Sequence, residues 1–113
     1  MQDLRFAASA ASTLSLFSLT SAEVQALLTG VASSSAAWMV DEACDYHGEL
    51  MLIFTLRAGG DAAPSLVVHR AAEGVMISWQ TETAFRCLDV VLEISAAVPL
   101  LRSHLESCAE PVA

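Results

Sequence analysis

Hydrophobic and polar positions alternate most clearly in the middle of the chain, and this period of two predicts β-strands there. Residues 49–57 are the most hydrophobic of these stretches, and both of their faces are apolar as far as Ile53, as is typical of a central strand. Gly48 and Gly74 lie in short segments that fit hairpin turns. These connections predict a four-stranded antiparallel meander over about residues 36–80, with strands at 36–44, 49–57, 65–70 and 75–80.

A helix is predicted before the sheet. Thr20 is followed three residues later by Glu23, which is the spacing of a capping box at a helix N-terminus. Apolar residues then recur at helical spacing, at Val24, Leu27, Leu28 and Val31. We therefore expect an N-terminal helix over about residues 21–33. The short apolar run within residues 1–19 fits a helix, a strand or a disordered segment equally well.

The pattern after the predicted sheet favours a long apolar helix over about residues 82–98, which either continues through Pro99 or is kinked there. Its polar positions recur at steps of four, three and four residues, at Glu82, Arg86, Asp89 and Glu93. The rest of this helix is apolar, a wider stripe than one sheet would cover. We therefore expect a homodimer whose interface consists of Cys87, Val90, Val91, Ile94, Val98 and Leu101.

The elements together predict a single small α+β domain over residues 1–113, with the helices packed mainly on one face of the sheet. Residues 1–12 and 109–113 are expected to fray, because chain ends are poorly ordered unless other contacts hold them. Met39, Met51 and Met76 recur in the predicted strands, where they either mark an adaptable binding face or fill the core.

Charge and composition exclude several classes of function. The chain has 13 acidic and 5 basic residues, a net charge of −8, so direct binding to nucleic-acid phosphates is not expected. The basic residues are all Arg, and without Lys neither Schiff-base chemistry nor a phosphate-binding Lys is possible. Hydrophobic residues make up 55% of the chain, yet no uninterrupted run approaches the roughly 18 apolar residues of a membrane span.

The cysteine count bears on the compartment. Three cysteines without CxxC spacing indicate free thiols in a reducing environment, so we expect a cytoplasmic protein. The absence of Lys and Asn fits the codon bias of a GC-rich genome, and the absence of Lys also fits selection in a protein delivered into a host that ubiquitinates. We expect a bacterial source.

The densest polar cluster lies around the first predicted hairpin, where loops on rigid strands often carry recognition. We interpret it as a patch that binds a basic partner protein, formed by Asp41, Glu42, Asp45, Tyr46, His47 and Glu49. Asp41, Cys44 and His47 are metal-capable, but residues at this hairpin spacing point in different directions and a zinc site needs about four ligands. We therefore expect no metal and no cofactor.

The leading hypothesis is a non-enzymatic binding protein, such as an adaptor, chaperone or inhibitor, that covers the surface of a partner protein. One alternative is an acidic inhibitor that mimics nucleic-acid phosphates in a basic groove. Another is an enzyme of unrecognised type that uses Cys44 and His47, although no GxSxG, GxGxxG, Walker A or HExxH motif is present. In size, acidity and apolar helix the chain is similar to small bacterial secretion chaperones, whose strands, unlike these, are interrupted by a helix.

Overall fold

The computed structural model describes residues 18–44, 49–59 and 63–109. These residues form a helix, five strands and a second helix, with single 3-10 turns at Ala32–Ser34 and Arg57–Gly59. The helices and strands are α1 (Ser21–Gly30), β1 (Trp38–Cys44), β2 (Leu50–Leu56), β3 (Ser65–Ala71), β4 (Gly74–Gln80), β5 (Phe85–Val91) and α2 (Ile94–Ala109). Of the residues predicted to fray, 1–12 and 110–113 lie outside the described part of the chain, and Ala109 is the last residue of α2.

The sheet is antiparallel throughout, and its spatial order β1-β2-β3-β4-β5 is the order of the strands in the chain. The α+β class and the antiparallel meander are therefore confirmed. The prediction of four strands was wrong, because a fifth strand follows β4. The first four strands lie where the alternation of hydrophobic and polar positions predicted them.

The predicted helix over residues 82–98 was wrong. Residues 85–91 form the edge strand β5, and α2 starts only at Ile94. The helix prediction depended on a polar stripe at steps of four and three, but β4 offers an unpaired edge that this stretch can join. Phe and Val are also common in strands, where their side chains pack well on a pleated surface.

A β-bulge explains why β5 does not show a clean alternation. Ile77 of β4 is opposite Asp89 and Ser78 is opposite Cys87, which leaves Leu88 as the extra residue. A bulge of this kind interrupts the alternation of side chains along a strand. Leu88 packs against the core, and Asp89 bonds to His104 on α2, so both side chains point to the side of the helices.

Both described helices pack on the same side of the sheet, which we call the helix face. The largest fully buried side chains lie between the two layers, among them Trp38, Phe54, Leu66, Ile77, Leu101 and Leu105. Two contacts between ionisable side chains join the layers at their margins. The Arg70 guanidinium of β3 pairs with the Glu23 carboxylate of α1, and the Asp89 carboxylate of β5 lies 2.6 Å from the His104 ring of α2.

The start of α1 confirms the predicted capping box. The Thr20 hydroxyl accepts a hydrogen bond from the Glu23 backbone N–H at 3.0 Å, and the Glu23 carboxylate accepts one from the Thr20 N–H at 2.9 Å. The helix ends at Gly30, three residues earlier than predicted, and the 3-10 turn Ala32–Ser34 follows it.

The second helix runs through Pro99, which lies in its second turn. Proline has no N–H to donate to the carbonyl four residues earlier, here Ser95. Both Ser95 and Pro99 are exposed, so water can bond that carbonyl.

The close approach of α1 to α2 depends on Gly30. A Cβ atom at Gly30 would lie 2.5 Å from Val98 Cγ1, and the Gly30 carbonyl accepts a hydrogen bond from Arg102 Nη2 at 2.8 Å. We expect Gly30→Ala to lower the free energy of unfolding by about 1–3 kcal/mol, the usual effect of overpacking a core. Urea denaturation followed by circular dichroism measures it.

The matched control for Gly30 is the double variant Gly30→Ala/Val98→Ala, in which the opposing methyl groups are removed. We expect the second substitution to cost less in the Gly30→Ala background than in the wild type, because it relieves the clash. Strictly additive effects would contradict the contact between the two helices.

Candidate functional site

The acidic segment predicted as a partner-binding patch is only partly described. Asp41 and Glu42 are exposed on β1, and Glu49 is half-buried just before β2. Asp45, Tyr46 and His47 lie outside the described residues. Because neighbouring strand residues point to opposite sides, Asp41 and Glu42 lie on different faces of the sheet rather than forming one acidic row.

The six residues predicted as the homodimer interface do not share one surface. Leu101 is fully buried, and Val91, Ile94 and Val98 pack against the core. Cys87 and Val90 are exposed on β5. The common stripe required a helix through residues 87–98, and β5 replaces most of it. The homodimer itself stays a prediction.

The reactive groups do not converge in the described part of the chain. All three thiols are free, with Cys44 and Cys87 exposed and Cys108 half-buried. Burial raises the pKa of Cys108, and the nearby positive charge of Arg86 only partly opposes this, so the thiol is protonated at neutral pH. Among the described residues no three His, Cys, Asp or Glu side chains are grouped to hold a metal ion. His47, the predicted partner of Cys44, lies outside the described residues.

The sheet side opposite α1 and α2, which we call the outer face, carries three of the four large hydrophobic side chains that are exposed among the described residues. No described helix packs on it. Strand register assigns to it Met39, Asp41, Ala43, Met51, Ile53, Thr55, Ser65, Val67, His69, Ala71, Met76, Ser78, Gln80, Phe85, Cys87 and Val90. Val67 and Ser78 are buried in this face. Three of these are large hydrophobic residues that stay well exposed, Met39 at 45%, Phe85 at 57% and Val90 at 41%.

The three strand methionines lie together on this outer face. Met51 and Met76 are half-buried on β2 and β4, and Met39 is exposed on β1. Of the two interpretations of these methionines, an adaptable surface or core filling, their position agrees with the surface. A methionine side chain is flexible and polarisable, so it can adjust to different apolar partners.

Polar groups on the outer face bond to one another. The Thr55 and Ser65 hydroxyls are 3.1 Å apart, and Gln80 Nε2 donates to Ser78 Oγ at 3.3 Å. The Ser78 hydroxyl in turn lies 3.5 Å from the Val67 carbonyl. Because these groups have partners within the sheet, an apolar surface placed over them would leave few hydrogen bonds unmade.

A second apolar feature is Leu92, which follows β5 and is 80% exposed. Two shallow depressions of about 340 and 470 Å³ adjoin it. The first is lined by residues at the end of β5 and the start of α2. The second extends to Ala22 and Ala26 of α1 and to the Arg70–Glu23 ion pair. The wall of this depression is therefore charged, whereas the outer face is mainly apolar.

Comparison with known proteins does not assign a family, because no family model, no curated protein and no solved structure matches the chain. Within the described residues, no helix is long and apolar enough to span a membrane.

Sequence reasoning missed the outer face as a unit. Its main signal was that residues 49–57 are apolar on both faces, since a strand covered on one side only would have a polar outer row. The contribution of β5 cannot be found in this way, because the spacing of the polar residues predicts a helix that includes Phe85 and Val90.

Proposed function

We propose that the chain is a non-enzymatic protein-binding module that covers an apolar segment of a partner protein with the outer face of its sheet. One observation carries this proposal. Three of the four large hydrophobic side chains that are exposed among the described residues, Met39, Phe85 and Val90, lie on the sheet side opposite both helices. Met39 lies on the edge strand β1, and Phe85 and Val90 lie on the opposite edge strand β5, with the half-buried Met51, Ile53 and Met76 between them. Exposed apolar surface of this kind is typical of interaction sites.

The shape of the face favours an α-helix as the partner segment. Five strands about 4.8 Å apart make a surface roughly 19 Å wide, which suits one or two helices about 10 Å in diameter. A helix on this face would complete a third layer and place apolar residues against the half-buried Met51, Ile53 and Met76 at its centre.

The charge of the chain indicates which helix fits. Asp41 is the one carboxylate or guanidinium group among the described strand residues assigned to the outer face, and the whole chain carries −8. A partner helix with an apolar stripe flanked by basic residues would match both the apolar centre and the acidic surroundings. The apolar contact supplies most of the affinity, and the charges speed association and depend on salt.

The test is a comparison of captured proteins. The wild type and the double variant Met51→Glu/Met76→Glu are used to capture proteins from a lysate of the native host, at low and at high salt. We expect the wild type to retain a partner at high salt and the double variant to lose it, because two buried carboxylates would oppose the apolar contact. Mapping of the bound fragment should then give a basic amphipathic helix.

The matched control is Thr29→Glu/Ser103→Glu, which adds the same two negative charges at exposed positions of α1 and α2. This control should retain the same partner as the wild type. Equal retention by Met51→Glu/Met76→Glu, with a native circular dichroism spectrum, would reject the outer face as the binding surface. Failure of the wild type to retain any protein would reject the proposed function.

A further inference from the structure

The two edges of the sheet differ in their chemistry. On β5, Phe85 and Val90 are exposed, and Leu92, directly after the strand, is the most exposed large hydrophobic residue of the described chain. These three residues lie within eight positions of one another on an edge that no described strand pairs with. Native proteins usually protect such edges with charges, because unpaired N–H and C=O groups can bind another strand.

The opposite edge, β1, has that protection. Asp41 and Glu42 are consecutive and exposed, and Trp38–Cys44 contains no basic residue. Two copies joined through β1 would bring four carboxylates together, and like charges opposite one another destabilise a strand pair. The net charge of −8 opposes association of two copies over most of the surface as well.

The β5 edge is electrically self-complementary. The strand carries one cation, Arg86, and one anion, Asp89, so its net charge is zero. The Asp89 carboxylate, which lies 2.6 Å from the His104 ring within its own chain, stays about one-third exposed. A two-fold axis between Cys87 and Leu88 would place Arg86 of each copy opposite Asp89 of the other copy. The same axis would place Phe85 opposite Val90 of the second copy. An isologous pair of this kind closes on itself and does not extend into a fibre.

The bulge at Leu88 makes this register possible. In a regular strand, residues five positions apart point to opposite faces. Here Phe85 is opposite Gln80 and Val90 is opposite Met76, and Gln80 and Met76 share the outer face. Likewise Arg86 is opposite Trp79 and Asp89 is opposite Ile77, which share the helix face. Each proposed pair therefore lies on one side of the sheet, as antiparallel pairing requires.

We propose that two copies of the chain pair antiparallel along β5 and form a continuous ten-stranded sheet with the two outer faces side by side. The backbone hydrogen bonds between the two β5 strands form on both sides of the bulge. Cys87 and Leu88 of each copy then lie at the centre of the interface. The segment predicted as an apolar helix interface thus becomes a strand interface. This inference does not rest on the proposed function, since a dimer forms whether or not the outer face binds a partner.

The first test is the mass in solution, measured by light scattering after size exclusion. The wild type is expected at twice its chain mass of 11.9 kDa. Val90→Lys should give a monomer, because it places a charge against Phe85 of the second copy. It also lowers the net negative charge, so general repulsion cannot explain the loss. Met39→Lys makes the same charge change at a residue of similar exposure on β1 and should stay dimeric.

The second test is cross-linking by an added oxidant, which removes two electrons and two protons from a pair of thiols as a disulfide forms. Wild-type protein should give a covalent dimer that Cys87→Ser abolishes and Cys44→Ser retains, because only Cys87 lies near the two-fold axis. This test does not require Val90→Lys to fold.

A monomeric wild type would overturn the proposal. So would a dimer that Met39→Lys dissociates and Val90→Lys does not, which would place the second copy on β1. Met51→Glu/Met76→Glu should remain dimeric, and the capture experiment on it therefore reports the outer face alone. A cross-link that depends on Cys44 instead of Cys87 would likewise reject β5.

Discussion

Replacement of Trp38 by alanine is expected to lower the free energy of unfolding by about 3–5 kcal/mol. Trp38 is 1% exposed, and its indole Nε1–H donates to the Leu105 carbonyl at 3.2 Å, which joins the edge strand β1 to α2. The variant loses this hydrogen bond and leaves a cavity under the sheet. Because domains of this size unfold with only about 5–15 kcal/mol, the loss is a large part of the total.

Urea denaturation followed by circular dichroism measures the effect, since the signal does not depend on the missing indole. Trp38→Phe separates the two causes, because it keeps most of the apolar volume and removes the donor. We expect it to lose less than half as much as Trp38→Ala. A loss below about 1 kcal/mol for Trp38→Ala would contradict the packing of α2 on β1, since that is the level of an ordinary point mutation.

The second large effect is expected from Gly74→Ala, at about 3 kcal/mol of lost stability, from backbone strain and steric overlap together. Gly74 has a φ of +138°, a conformation that residues with a side chain rarely adopt. A Cβ atom at this position would lie 2.3 Å from the Val91 carbonyl oxygen and 3.0 Å from its carbon. These are backbone atoms of β5, so they cannot move aside as a flexible side chain would.

Gly74→Ala also tests the fifth strand. Its clash exists only because Val91 is paired with Val75 at the edge of the sheet. Glu73→Ala, at the exposed neighbouring position in the same turn, serves as the control and should change the stability by less than about 0.5 kcal/mol. Equal stability of Gly74→Ala and the wild type would contradict the position of β5.

The elements that sequence patterns predicted well depend on local interactions or on clear alternation. Thr20 and Glu23 are three residues apart, and the bonds between them form within one helical turn, so the spacing alone predicted the start of α1. The four strands of the meander are joined by short connections, and their apolar rows belong to strands that pair with sequence neighbours. Their antiparallel arrangement follows from the short connections, because a short connection reverses the direction of the chain.

The fifth strand could not be predicted in the same way. The spacing of Glu82, Arg86, Asp89 and Glu93 is helical, and the bulge at Leu88 removes the alternation that would have indicated a strand. Residues 85–91 form a strand because β4 has an edge to pair with. That partner is present only once the sheet exists, and local propensity is a weak guide against it.

The candidate site, too, could be predicted from the sequence only in part. The strand methionines and the two apolar faces of residues 49–57 were visible in the sequence, as were the net charge of −8 and the absence of Lys. The sequence did not show which side of the sheet the helices cover, because that depends on the packing of α1 and α2 against Trp38, Phe54 and Leu66.

The sequence by itself therefore determined the α+β class, the first four strands and the N-cap of α1. Only the tertiary structure decided that residues 85–91 are a strand, that Met39, Met51 and Met76 share one face, and that β5 is an edge of the sheet. The physical reason is that hydrogen bonds within a helix turn or a short hairpin join residues close in the chain, whereas edges and faces are properties of the assembled sheet.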